Sequence, residues 1–258
     1  MRRRNKALVF DIDGTLIPFN ENHISQDVID VLNSLSKEYY LFVATGRHAL
    51  ELKNIDGINF DAYITSDGQV ITTKRGKSFI SSIPKKDINN LVDYLSKNEV
   101  ACSFTETDEY YINFINQKVI KYHEYVIFDI PEIRDINKAR NKDILVVTIY
   151  ALNNEVEDIL KIMPHCQSVR WNQYGVDILN KNSGKGYGLK KICKYFKLDL
   201  DNVICFGDGE NDISMFEICN KSCAMGDSDE SLKKIATYVS TSAKEKGVIN
   251  GLKYFKII

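Results

Sequence analysis

Residues 6–16 read KALVFDIDGTL, a run of five residues, four of them apolar, that leads straight into Asp11, Asp13 and Gly14. A short apolar run bounded by turn residues reads as a strand buried on both faces, the kind found in parallel sheets. Acids follow it at the carboxyl end, and in open α/β sheets that is the edge where ligands bind. Two carboxylates two residues apart can converge as the chain turns at Gly14, which tolerates tight backbone geometry. Converging carboxylates repel unless a proton or cation intervenes, so the pair points to a divalent metal. The same residues would also serve as a turn with capping aspartates.

Outward from that stretch, residues 24–37 place Ile24, Val28, Val31, Leu32 and Leu35 at helical spacing, with Ser25 as a cap. YYLFV at 39–43 is a second strand, residues 48–54 read as a helix and 61–65 as a third strand. This β-α-β-α-β opening predicts a parallel sheet with helices on its faces. The rhythm then changes. A hairpin is expected at 70–80 around Arg75-Gly76. Helices at 84–99, 117–126 and 154–163 then alternate with strands at 101–105, 110–115, 144–152, 166–171 and 176–179. Helices at 185–197, 212–219, 230–236 and 247–255, with strands at 202–206, 222–225 and 238–240, restore the α/β rhythm. The expected fold class is α/β: a Rossmann-like parallel-sheet core from 1–81 and 182–258, interrupted by an inserted α+β domain at 82–181.

Composition narrows the function. Of 258 residues, 34 are Lys or Arg and 35 are Asp or Glu, a net charge of −1. That balance excludes a chain-wide basic surface, so no nucleic-acid partner is expected. The richest apolar runs, 39–45 and 144–152, fall short of the ~20 residues a membrane span needs. The basic opening MRRR precedes only four apolar residues before Asp11, too few for a secretory leader. A cytoplasmic protein without membrane partners, monomeric or weakly dimeric, is expected. Its six cysteines read as reduced thiols. Cys219 and Cys223 lack a nearby histidine, so they read as small buried hydrophobes rather than zinc ligands.

Three further stretches carry chemistry. Val43-Ala44-Thr45-Gly46-Arg47 puts a hydroxyl and a glycine amide between a strand end and a helix start, which suits an anion or simply a Thr-capped turn. Ser183-Gly184-Lys185-Gly186 can deliver a lysine charge to a phosphate, or hold a solvated loop lysine. Gly207-Asp208-Gly209-Glu210-Asn211-Asp212 after NVICF offers oxygen ligands to a hard cation, or a polar cap. Neither the EF-hand spacing nor the nucleotide-binding G-x-x-x-x-G-K-[ST] loop is present.

In this order, DIDGTL, ATGR, GKGYGL and GDGENDISMF resemble the four motifs of the haloacid dehalogenase-like hydrolases, and within them the Cof-type sugar-phosphate phosphatases. SDGQVI and AMGDS are similar to that branch's N-G-A turn and A-M-G-N-A element, with Asp67 and Asp227 where Asn is usual and Gly188 where Ala is usual. The middle segment resembles the branch's large α+β cap. The resemblance implies that Asp11 is a nucleophile forming an aspartyl-phosphate and that Asp13 is the acid and base. It implies Mg²⁺ on Asp11, the Asp13 carbonyl and Asp208, with Asp212 in or beside that shell. Thr45, Gly46, Lys185, Asn211 and the Ile12 amide would hold phosphoryl oxygens, and the substrate would be a small phosphate ester. Tyr110, Tyr111, His123, Trp171 and Tyr174 either line the cap's share of the pocket or pack its core. Two other readings fit the residues: a phosphomutase or a sucrose- or mannosyl-phosphate-type phosphatase, and a receiver-like phosphoacceptor switch without turnover.

Overall fold

The computed structural model describes every residue except 1–3, 53, 127–128, 152 and 171–172. In chain order the first elements are β1 (Lys6–Phe10), α1 (Gln26–Leu35), β2 (Tyr39–Ala44), β3 (Ala62–Thr65), β4 (Val70–Thr73) and β5 (Ser78–Ile80). Next come α2 (Lys85–Leu95), β6 (Cys102–Thr105), β7 (Tyr110–Ile112), α3 (Gln117–Val126), β8 (Glu132–Ile133), β9 (Val146–Ile149), α4 (Asn153–Ile162), β10 (Cys166–Val169) and β11 (Val176–Asn180). The last are α5 (Lys185–Phe196), β12 (Val203–Gly207), α6 (Ile213–Phe216), β13 (Lys221–Ala224), α7 (Glu230–Ile235), β14 (Tyr238–Val239) and α8 (Gly247–Tyr254). The chain divides into two units, Met1–Ile80 with Ser183–Ile258, and Ser81–Asn182.

The first unit holds an eight-stranded sheet in the order β14-β13-β12-β1-β2-β3-β4-β5. Its six strands from β14 to β3 run parallel, and β4 and β5 add an antiparallel edge. The pleat explains the unbroken apolar run of β1. Leu8 and Phe10 enter one core with Val28 and Leu32 of α1 and Val248 and Leu252 of α8. Ala7 and Val9 enter the opposite core with Leu189 and Ile192 of α5 and Met215 and Phe216 of α6. Each face is closed by helices, as a mostly parallel sheet requires. The α/β class read from the sequence is the observed one.

The second unit is a six-stranded sheet, β10-β11-β9-β6-β7-β8, antiparallel except where β7 meets β8. Ile88, Leu91 and Val92 of α2 and Val156 and Ile159 of α4 pack with Phe104, Val147 and Ile178 in one core. Val119 and Tyr122 of α3 pack with Ala101, Ile112 and Tyr150 in another.

Several expected elements are shorter. Among the described residues the helix expected at 48–54 is a single 3₁₀ turn, Ala49–Glu51, with Lys53 outside them. The helix expected to run to 99 stops at Leu95, because Ser96 and Asn98 bend back onto the carbonyls of Asp93 and Tyr94. Among the described residues the strand expected at 144–152 covers Val146–Ile149, with Leu152 outside them. The one expected at 166–171 ends at Val169, with Trp171 outside the described residues. β8 and the 3₁₀ turn Ile136–Asn141 were not expected, since neither has a clear apolar period.

Candidate active site

β1 and β12 lie side by side mid-sheet, and the chain leaves them in opposite directions: to β2 and β3 on one side, to β13 and β14 on the other. At such a switch point the carboxyl ends of neighbouring strands open a crevice. Asp11 follows β1 and its N–H donates to the Phe206 carbonyl of β12 at 3.0 Å, while Asp208 follows β12. Gly14 turns the first loop at φ +79°, and a Cβ there would stand 2.2 Å from Asp208 Oδ2. Only a residue without a side chain lets the two loops approach this closely. Thr15 Oγ1 donates to Asp208 Oδ1 at 3.1 Å and holds that carboxylate in place.

Lys185, the first residue of α5, is fully buried. Its Nζ donates to Asp11 Oδ1 and to Asp212 Oδ1, each at 2.6 Å. The second Asp212 oxygen accepts the N–H groups of Asp208 at 2.9 Å and Gly209 at 3.1 Å. That back-bonding corrects the helix expected at 212–219. Asp212 closes a 3₁₀ turn, Glu210–Asp212, and only Ile213–Phe216 is α-helical.

Carboxylate oxygens of Asp11, Asp208 and Asp212 lie within 4.8 Å of one another, and all three residues are buried. With all three carboxylates ionised, one ammonium would leave a formal deficit of two charges in a buried crevice. Burial holds the Asp11 carboxyl well above its usual range, with the charges of Asp212 and Asp208 adding to the effect and Lys185 opposing it. Asp208 is pushed up to about 7 by burial and by the charge of Asp212. Burial alone would lower the Lys185 ammonium, but Asp11 and Asp212 outweigh it and raise its pKa. An all-oxygen donor set with a two-charge deficit fits a divalent hard cation such as Mg²⁺. Because both Asp212 oxygens already accept hydrogen bonds, Asp11 and Asp208 are the carboxylates better placed to serve it.

Asp13 stands outside this buried cluster, its side chain 51% exposed. Arg47 grips it in a two-point pair, with Nε donating to Oδ2 at 2.7 Å and a terminal nitrogen to Oδ1. Thr45, buried at the end of β2, accepts the Arg47 N–H on Oγ1 at 3.1 Å. Gly46 and Asn211 are exposed, and Asn211 Nδ2 donates to Asp67 Oδ1 at 3.1 Å. The Ile12 side chain is core, and its carbonyl takes the N–H groups of Thr15 and Ile17. Arg47, Thr15 and Asp67 were not singled out as site residues by sequence. Arg47 and Thr15 stood inside quoted motifs, but their partners are neighbours only in three dimensions. In the second unit Tyr111 is core and His123 bonds the Tyr150 hydroxyl at 3.2 Å. Tyr110 is exposed, and Tyr174 packs on Tyr125.

A doubly wound sheet with a lysine-bridged acid cluster at its switch point defines the architecture of an α/β enzyme. The chain belongs to the haloacid dehalogenase-like hydrolases, whose family model matches residues 8–252. It is similar to the Bacillus subtilis protein YkrA, provisionally assigned as a phosphatase, at 25% identity over 96% of this chain and 97% of that one. Among solved structures it is similar to the HAD superfamily phosphatase BT1666 from Bacteroides thetaiotaomicron: TM-score 0.91, 24% identity, 100% and 97% of the two chains. It is also similar to the HAD subclass IIB sugar phosphatase BT4131: TM-score 0.83, 30% identity, 98% and 100% coverage. The chain is therefore a phosphatase, which sets aside the phosphoacceptor switch.

Proposed function

We propose that this phosphatase is Mg²⁺-dependent and hydrolyses small phosphorylated metabolites, sugar phosphates above all, through an aspartyl-phosphate on Asp11. The observation that carries the reading is the buried Lys185 bridge to Asp11 and Asp212, with the carboxylate of Asp208 converging on the same point. Asp11 and Asp208, with the Asp13 carbonyl, would hold the ion, and Asp212 would orient Lys185 and the Asp208 loop. The bound ion would supply the positive charge that lets a carboxylate approach a phosphate dianion. Thr45, Gly46, Lys185, Asn211 and the Ile12 amide would hold the equatorial oxygens, the positioning that phosphoryl transfer relies on.

Asp11 attacks phosphorus as the ester oxygen leaves, and Asp13 protonates that oxygen. Asp13 then removes a proton from the water that hydrolyses the aspartyl-phosphate. Arg47 keeps Asp13 in place between the two steps. The sugar phosphatase among the similar structures supports the substrate class. Every residue of the site lies outside residues 81–182, which supports assigning selection of the leaving group to that unit. Six free thiols support a reducing, cytoplasmic setting.

The test is Asp11→Asn assayed on a sugar phosphate panel with Mg²⁺. Turnover is expected to vanish while the circular dichroism spectrum is kept. More than a few per cent of the wild-type rate, with deamidation excluded by mass spectrometry, removes Asp11 as the nucleophile.

A further inference from the structure

Asp67 touches three of the loops expected to hold the phosphoryl group: those of Thr45–Gly46, Gly184–Lys185 and Asn211. It sits in a turn where three successive residues have positive φ: Ser66 at 48°, Asp67 at 49° and Gly68 at 82°. Left-handed backbone is costly for side-chain-bearing residues and least so for Asn and Asp. The turn is pinned by Ser66 N–H on the Arg47 carbonyl at 3.0 Å and by Asp67 N–H on the Thr45 carbonyl at 3.2 Å. The Gly184 N–H donates to the Asp67 carbonyl at 2.6 Å, one residue before Lys185. The Asp67 side chain accepts from Asn211 Nδ2, and both of its oxygens lie 3.5 Å from where a Gly46 Cβ would stand. A carboxylate thus lies against the Thr45–Gly46 loop and on Asn211, two of the groups assigned to a phosphate dianion.

An Asn side chain could accept the same bond from Asn211 through its Oδ1 and suit the same backbone, without the charge. The charge is therefore the feature that the packing does not require. Burial raises the Asp67 carboxyl above its usual range, with the neighbouring Asp212 adding to the effect, while Lys185 and the Asn211 amide oppose it.

We propose that Asp67 is a positioning residue that sets the charge of the phosphoryl pocket. It holds Asn211 in place and, through its negative charge, weakens the grip on free phosphate so that product leaves. The proposal rests on the reading that Thr45, Gly46, Lys185 and Asn211 bind the phosphoryl oxygens. Ester substrates offset the repulsion through leaving-group contacts; inorganic phosphate has none. Removing the charge should therefore tighten phosphate binding, a gain that damage to the fold would not produce.

The experiment measures inorganic phosphate binding to the full chain with Mg²⁺. It uses calorimetry together with competitive inhibition of p-nitrophenyl phosphate hydrolysis. Asp67→Asn is expected to lower the phosphate inhibition constant about tenfold, the scale of one neighbouring charge largely screened by solvent at a protein surface. KM should fall with it, and kcat should stay level or drop as release becomes limiting. Asp67→Ser, a second charge-free variant, should tighten phosphate in the same direction and carries the test if the amide variant folds poorly. Asn211→Ala checks the underlying pocket and should weaken phosphate. If Asn211→Ala weakens phosphate while both Asp67 variants stay within twofold of wild type or bind it less well, the charge role is wrong and the pocket stands. If Asn211→Ala leaves phosphate binding unchanged, the pocket reading fails and the proposal falls with it.

Discussion

Replacing Lys185 by Met in the metal-free protein isolates the electrostatic problem at the centre of the site. The lysine is fully buried, and its ammonium is 2.6 Å from an oxygen of Asp11 and from one of Asp212. Met matches the stem in length, so little volume is lost and the change is mainly one of charge. Removing one partner of a buried pair costs about 3–5 kcal/mol, because the other partner stays buried and uncompensated. A second route reaches the same figure. The cluster can escape by protonating a carboxylate, which at pH 7 costs about 1.4 kcal/mol for each of roughly three pH units, or about 4 kcal/mol. Urea denaturation in EDTA at pH 7 should therefore show Lys185→Met destabilised by about 3–5 kcal/mol. The deficit should shrink towards pH 5 by about 1.4 kcal/mol per unit for each proton taken up. A loss below about 1 kcal/mol at pH 7, or one that does not shrink on acidification, would refute the picture of a charge-locked cluster.

The remaining predictions concern the acid, the turn and the titration of the cluster. Asp13→Ala should slow sugar phosphates by about 10²–10⁴-fold but p-nitrophenyl phosphate far less, since that leaving group needs little protonation; equal losses on both would remove Asp13 as the acid. Gly14→Ala brings a Cβ 2.2 Å from Asp208 Oδ2 in a φ +79° turn, so Mg²⁺ affinity by calorimetry should fall at least tenfold, on the order of a misplaced ligand, and unchanged affinity would count against Asp208 as a ligand. In metal-free protein Asp208, pushed up to about 7, binds its proton more tightly folded than unfolded. Its contribution is thus fully present below about pH 4 and is lost as pH rises through about 7, an order of 4 kcal/mol. The melting-temperature difference between wild type and Asp208→Asn in EDTA should track that window, and a difference that is flat from pH 4.5 to 7.5 would contradict it.

The α/β class and the position of the acids were legible because both are local patterns. An apolar run such as KALVF can be satisfied only by burial on both faces, and an acid just after it must lie at a strand end. The hairpin of β4 and β5 was legible for a similar reason, since Arg75-Gly76 separates two short apolar runs and Gly76 takes φ +79°. At 96–99 and at 212–219 the sequence misled because a side chain competed with the backbone. Asp212 spent its carboxylate on the Asp208 and Gly209 N–H groups, and the helix expected there was reduced to a turn and four residues.

The residues by themselves thus determined the class of fold, the strands and helices with a clear period, and which acids, lysine and threonine stand at their ends. Only the tertiary structure decided which of them meet. Lys185 reaches Asp11 across 174 positions of sequence, Asn211 reaches Asp67 across 144, and Arg47 reaches Asp13 across 34. Hydrophobic periodicity records which face of an element is buried, a property of a few neighbouring residues. The distance between two side chains on different elements depends on strand order and register, here on β12 pairing with β1 so that Asp11 and Asp208 leave adjacent strand ends. That pairing is settled by the packing of the whole sheet, and it turns two separate acidic turns into one buried cluster.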